Sequence, residues 1–349
     1  MHSEHGGNIW PLVYSGMSPE SIIDFSSNLN DFVNIHDADK LAGNEFLRMY
    51  PEDQPDWLLE KLSRYSRTDK NEILLGSGLT HFIHLLCDLY DSSRMLLVSP
   101  SFMEYERTCR AKHTSYSTLP GRILADNPHI LKRYNPGVVV ITRPDNPTGS
   151  MIRFSSITEI LSSAEDIGSN VFIDEAFIDF TNDSEFLGTV QLVHEYGNLI
   201  LGRSLTKILA MPSLRIGYLI SGSDNLDPFR RLMEPWAIGQ DHMEVLRKVD
   251  LEHLRQSAAK VKENREYLIH SMMELGMMPV GDPQANYVTF RLGDDVDVDQ
   301  LLESLQSSGL LIRSLWNYPD FGNQYVRIAV KSREKTELLV NGIKGMIGH

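Results

Sequence analysis

The stretch Leu199–Tyr218 reads LILGRSLTKILAMPSLRIGY. It opens on a short apolar run, turns through hydroxyl residues to a lysine, and closes on a second run, RIGYLIS (Arg215–Ser221). Short apolar runs bounded by polar residues suit strands buried on both faces. Working outward, such runs recur at EILLG (Glu72–Gly76), RMLLVS (Arg94–Ser99), SYSTL (Ser115–Leu119), VVVIT (Val138–Thr142), VFID (Val171–Asp174) and NLILG (Asn198–Gly202). Amphipathic stretches separate most of them, among them Leu79–Tyr90, Phe102–Lys112 and Ser155–Ile167. Alternation of this kind predicts an α/β fold whose mostly parallel seven-stranded sheet is covered by helices.

Beyond Pro235 the pattern changes. Gln240–Leu275 reads as one or two long charged helices, followed by strand runs NYVTFRL, LLIRSL and YVRIAV and a last helix from Arg333. A chain of 349 residues also exceeds the roughly 250–300 at which one core stops growing. The expected division is a large domain over 46–235 and a small α+β domain over 236–349. Residues 1–45, rich in Pro, Gly and Asn with little periodicity, are expected to form an arm or lid belonging to the small domain.

The formal charge of −14 argues against nucleic acid or an anionic membrane as partner. Any small anionic substrate must then be held by a local cluster of Arg and His. Cys87 and Cys109 fall in helix-like segments without metal spacing, and no metal site is expected. The start, MHSEHGGNIW, lacks the pattern of a signal peptide, and no apolar run approaches the ~20 residues that span a bilayer. A cytoplasmic location is the expectation.

Ligands of such sheets sit at the carboxyl ends of the strands. After EILLG come Ser77, Gly78, Leu79 and Thr80, a glycine turn opening a helix. Its free backbone N–H groups suit a phosphate. After VVVIT comes Arg143-Pro144-Asp145-Asn146-Pro147-Thr148-Gly149, after VFI come Asp174 and Glu175, and after NLILG comes Lys207 with Ser204 and Thr206 before it and Arg215 after it. VFIDE resembles the magnesium strand of ATPases, but the chain has no G-x-x-x-x-G-K-[ST] loop. GSGLTH begins like a dinucleotide fingerprint, yet His81 stands at its third glycine. A lysine, a buried carboxylate and phosphate donors suit pyridoxal 5'-phosphate instead. Lys207 supplies the Schiff-base amine, Asp174 pairs with the protonated ring nitrogen, Asn146 donates to the ring oxygen and Phe102 covers a ring face. Ser204, Thr206, Arg215 and the Gly78–Leu79 backbone are expected at the phosphate.

NPTG (146–149), DEAF (174–177) and SLTK (204–207) with Arg215 resemble fold-type I pyridoxal-phosphate enzymes of the histidinol-phosphate aminotransferase class. HGGN (5–8), DFSSNLN (24–30), YP (50–51), RSLTK (203–207), PW (235–236), ANY (285–287), LIRSLWNYP (311–319) and YVRIAV (325–330) resemble the threonine-phosphate decarboxylase family more narrowly. The resemblance implies decarboxylation of L-threonine O-3-phosphate to (R)-1-amino-2-propanol phosphate, the linker of the cobalamin nucleotide loop. It implies a homodimer with the active site at the interface, Tyr50 reaching the partner's cofactor phosphate. It also implies that His5, Gly6, Asn28, Asn146, Arg313 and Arg327 bind the substrate's phosphate and carboxylate. The Gly6-Gly7 pair after His5 permits close backbone approach to a ligand.

The chain departs from the family pattern at three places. Arg143-Pro144-Asp145 replace N-P-N, Ser77 with Leu79-Thr80 alters the GNG turn, and Asp31-Phe32-Val33 replace P-L-G after Asn30. The first two are expected at the cofactor rim and the third at the substrate lid. Phe177 stands where many aminotransferases carry a tyrosine that donates to the ring oxygen. The alternative reading is a histidinol-phosphate type of aminotransferase, or a decarboxylase of L-serine phosphate or a related phospho- or phosphono-amino acid.

Overall fold

A computed structural model describes residues 6–33 and 48–347. Its strands are β1 (Ile23–Asp24), β2 (Ile73–Gly76), β3 (Met95–Ser99), β4 (Tyr116–Pro120), β5 (Val138–Thr142), β6 (Asn170–Asp174), β7 (Leu199–Ser204), β8 (Gly217–Ile220), β9 (Met278–Pro279), β10 (Tyr287–Arg291), β11 (Leu310–Leu311), β12 (Arg313–Ser314) and β13 (Tyr325–Ala329). Seven of them form one sheet in the order β2-β8-β7-β6-β5-β3-β4. Only β8 runs against its neighbours. The α/β reading with a mostly parallel, helix-covered sheet therefore holds.

The period of two decides which core each side chain enters. Leu74, Leu97, Val138, Val140, Phe172, Ile200 and Leu219 face the helices Gly78–Leu89, Glu104–Lys112 and Ser223–Leu232. Their alternates, including Val139, Ile141, Val171, Ile173, Leu199 and Leu201, join a second core with the helices Asp56–Ser66 and Phe154–Glu165. Both faces are covered, so polar residues that follow the strands are held on rigid, buried supports.

The carboxyl-terminal strands pair antiparallel in the order β12-β13-β10-β9. Strand β1 pairs parallel with β11, and the next residues continue the seam: Phe25 N donates to Leu311 O and Ala329 N to Phe25 O, both at 2.8 Å. The amino-terminal segment is thus stitched to the small sheet. Gln240–Leu275 differs from the expected one or two helices. It forms three, Gln240–Lys248, Leu251–Arg255 and Ser257–Met273. Val249 and Asp250 are extended, and the Asp250 side chain caps the next helix by accepting from His253 N at 3.1 Å.

Candidate active site

The carboxyl ends of β5, β6 and β7 face the small sheet across a cavity of about 220 Å³. The large sheet contributes Thr142 and Asn146 after β5, Asp174 and Phe177 at β6, and Ser204, Thr206 and Lys207 at β7. Leu79, Thr80, Phe102 and Arg215 close that side; Gly6, Ser26–Asn28, Arg313, Tyr318 and Arg327 close the other. A wider groove of about 550 Å³ runs past Arg255 and Lys262. None of the strand-end residues lines it, and Arg255 there is already paired with Asp183. The smaller cavity is the one with chemistry.

Lys207 Nζ donates to Ser27 O at 3.3 Å. Burial, reinforced by the charges of Arg327 and Arg215, lowers its pKa to about 8. Roughly a tenth of the amine is therefore neutral near pH 7, and nucleophilic addition to an aldehyde requires the neutral form. Asp174 is 3% exposed, and burial raises its pKa to about 6. Its Oδ1 accepts from Ala176 N at 3.0 Å and its Oδ2 from the Tyr105 hydroxyl at 2.9 Å. Among the described residues no cation pairs with it.

Asn146 Oδ1 accepts from Arg327 Nη1 at 2.5 Å and from the Tyr318 hydroxyl at 3.1 Å. Two donors on the oxygen fix the amide's orientation and leave Nδ2 as the group to give a hydrogen bond. Arg327 Nη2 also donates to Ser26 O at 3.1 Å, and Arg313 Nη2 to Asn317 Oδ1 at 3.0 Å. Both arginines are 6% exposed and face each other in register across β12 and β13. Like charges directly opposite across a ladder are destabilising. An anion between or beside the two side chains would offset that repulsion.

These residues fit pyridoxal phosphate on structural grounds. A Cβ on Gly78, whose φ is +72°, would lie 3.0 Å from Arg215 Nη2, and one on Gly217 would lie 2.9 Å from Leu79 N. Glycine at 217 lets β8 approach the backbone at the start of the helix Gly78–Leu89, and glycine at 78 takes a positive φ with Arg215 beside it; a phosphate there would meet backbone N–H groups. Among the described residues, Ser27 Oγ, Asn28 Oδ1, Thr142 Oγ1 and Arg327 Nε, buried around the cavity, find no partner. Each such atom costs about 1–3 kcal/mol, so the cavity is built for a polar ligand.

Of the residues expected from sequence, Leu79, Phe102, Asn146, Asp174, Ser204, Thr206, Lys207, Arg215, Gly6, Asn28, Arg313 and Arg327 come together here. Gly78 lies beside Arg215. Tyr50 does not join them: it is exposed, its ring 4.6 Å from that of Trp236. His5 lies outside the described residues. Thr142, Ser26, Ser27, Tyr318 and Tyr105 were not anticipated. Tyr318 stood inside the run LIRSLWNYP, a usable signal. Tyr105 carried none, because nothing local tells which helix side chain will face a strand end.

The three departures divide. Arg143 lines no part of the cavity; it is buried, donating to Ile152 O at 3.0 Å and pairing with Glu185. The expectation that it touches the cofactor rim is corrected, because its side chain leaves the strand end on the far side. Asp145 clamps the following turn, accepting from Thr148 N at 2.7 Å and the Thr148 hydroxyl at 2.8 Å. Thr80 does line the cavity. Asp31 accepts from Ser332 N at 2.8 Å and Lys335 at 2.6 Å, tying the amino-terminal segment to the last helix.

The class defined by this sheet and site is that of the pyridoxal-phosphate enzymes of fold type I. The model of the class I and II aminotransferase family matches residues 20–343, and the chain belongs to that family. It is 28% identical to the threonine-phosphate decarboxylase of Salmonella typhimurium over 99% of this chain and 97% of that protein. Among solved structures, the histidinol-phosphate aminotransferase of Clostridium acetobutylicum superposes with a TM-score of 0.80 at 27% identity, covering 93% of this chain and 98% of that one. The L-threonine-O-3-phosphate decarboxylase of Porphyromonas gingivalis gives 0.79 at 21%, covering 93% and 99%. Pyridoxal 5'-phosphate is the cofactor. No helix of the described residues is long and apolar enough to cross a membrane.

Proposed function

We propose that this enzyme decarboxylates L-threonine O-3-phosphate, releasing CO₂ and (R)-1-amino-2-propanol O-2-phosphate for the nucleotide loop of cobalamin. The observation that carries this reading is the buried, cross-strand pair Arg313 and Arg327, which suits a substrate with both a carboxylate and a phosphate. The Salmonella relative supports the choice of substrate.

When bound, pyridoxal phosphate supplies an electron sink for the charge left at the substrate's Cα. Lys207 would anchor it, Asp174 would meet its ring nitrogen, and Asn146 would give Nδ2 to its ring oxygen. Ser204, Thr206, Arg215 and the backbone at Gly78–Leu79 hold its phosphate, with Tyr50 of a second copy completing that site in a homodimer. Phe102 covers a ring face.

Gly6, Asn28, Asn146, Arg313 and Arg327 bind the substrate, joined by His5. Which bond breaks would be set by how these residues orient the bound substrate. Orientation of the carboxylate by the arginines, drawn from binding of the remote phosphate, selects decarboxylation over loss of the Cα proton. Lys207 returns a proton to Cα after CO₂ leaves, so no separate acid is required. Phe177, packed edge-on against Tyr287 with centroids 4.8 Å apart, offers no hydroxyl to the ring oxygen.

The likeness to the Clostridium aminotransferase supports the alternative of transamination of histidinol phosphate. Incubation with L-threonine phosphate, L-serine phosphate, and histidinol phosphate plus 2-oxoglutarate separates the readings. The proposal expects CO₂ and aminopropanol phosphate from the first. Serine phosphate should be poorer by only about 10–200-fold, the worth of one methyl in a pocket. Glutamate formation with histidinol phosphate and no CO₂ from either phospho-amino acid would sink it.

A further inference from the structure

We infer that Tyr105 is a positioning residue for the cofactor: its hydroxyl holds Asp174 as an oriented carboxylate whose countercharge has to come from the ligand. This rests on the cofactor, not on the identity of the substrate. Tyr105 lies in the helix Glu104–Lys112, is fully buried, and is braced edge-on against Phe172 of β6, centroids 6.5 Å apart. Its hydroxyl points at Asp174 Oδ2 at 2.9 Å, while Ala176 N takes Oδ1. Both oxygens are therefore pinned, one from each side, and the carboxylate cannot rotate without losing a bond.

The chemistry of the donor matters. Burial and the neighbouring Asp174 push the Tyr105 hydroxyl well above the usual phenol range, so it stays a neutral donor at any working pH. The other groups facing Asp174 are Glu175, next after its strand, and Tyr287 on β10; Tyr105 is faced in turn by Cys87. None is a cation. Among the described residues, two neutral donors hold the buried negative charge, and a protonated ring nitrogen would supply the opposite charge. A donor to a carboxylate makes it a weaker base. Tyr105 thereby leaves the shared proton on the ring nitrogen, where it sustains the electron sink.

The test starts from loaded, full-length enzyme carrying ¹⁵N-labelled cofactor. Tyr105→Phe keeps the ring packing and removes only the donor. The ring-nitrogen resonance should move from the protonated towards the unprotonated position, and cofactor release should speed up about tenfold, as loss of one charge-assisted hydrogen bond implies. In the Asp174→Ala background the same change should alter release less than twofold, since the acceptor is gone. Should Tyr105→Phe fail to fold, replacement of Tyr105 by 3,5-difluorotyrosine preserves the shape and strengthens the donor; it should move the resonance further towards the protonated position and slow release. An unmoved resonance, or equal acceleration in both backgrounds, would overturn the inference while leaving the cofactor reading intact. An enzyme that carries no pyridoxal phosphate at all would overturn both.

Discussion

Lys207 and Arg327 set the chemistry at the scale of single residues. The lysine's pKa of about 8 follows from burial first and from two nearby arginines second. Its neutral fraction falls tenfold for each pH unit below that value. Stopped-flow absorbance should show cofactor capture by freshly resolved enzyme speeding up with pH to about 8 and levelling off above it; a rate flat from pH 6 to 8 would contradict the assignment. Lys207→Ala should abolish the Schiff-base absorbance together with turnover. Arg327 is more constrained than a substrate anchor alone, because it also grips the amide of Asn146. Arg327→Ala should raise KM for threonine phosphate at least tenfold, the scale of a lost charged hydrogen bond, while cofactor release changes far less. Steady-state kinetics beside a release assay separates the two effects.

Strand ends are the elements that carry the site, and buried ion chemistry ties them together. Glu175 follows β6 and Arg203 sits in β7; both are essentially inaccessible, and Arg203 Nε donates to Glu175 Oε2 at 2.9 Å. Thr189 adds a hydrogen bond to Glu175 at 2.6 Å. The pair locks the strand that ends at Asp174 to the one that leads into Lys207. Removing one partner strands a buried charge, so Arg203→Met should cost about 3–5 kcal/mol in urea unfolding. The Glu175→Gln, Arg203→Met double variant should lose less than the sum of the singles. The turn after β5 offers a pH test. Burial raises Asp145 to about 7, so between about pH 4 and that value the folded state holds a proton that the unfolded chain has released. Stability then falls as pH rises through this window. Asp145→Asn can keep both Thr148 hydrogen bonds without a charge. Its melting temperature relative to wild type should climb from pH 4 to 7 and stay level above.

For the whole molecule, the amino-terminal segment, the large sheet and the small sheet each supply one wall of the cavity, and the proposed dimer supplies a further contact through Tyr50. Mixing Lys207→Ala protomers with Tyr50→Ala protomers under exchange should restore part of the activity that each lacks alone. A mixture as inactive as its components would count against a shared site. The strand runs and the catalytic strand ends were legible because apolar length and period report burial directly. The three-way break of the helices after Gly239 was less so, since a single capping aspartate, Asp250, outweighed a continuous amphipathic pattern. The position of Arg143 was illegible for a similar reason: adjacency to a motif says nothing about which side of the sheet a long side chain will take.

By itself, the order of residues determined the α/β sheet and the cofactor class, and it marked Asn146, Asp174, Ser204 and Lys207, because these stand at or shortly after the ends of apolar strands and such ends converge in a parallel sheet. Arg215 was marked by opening the next apolar run. What only the tertiary structure decided lies between distant segments. Arg313 meets Arg327 across a ladder, Tyr318 and Arg327 orient Asn146 from 172 and 181 positions away, and Tyr105 reaches Asp174 from a helix. Those contacts depend on how layers pack, and packing is a property of the whole set of buried surfaces rather than of any local pattern.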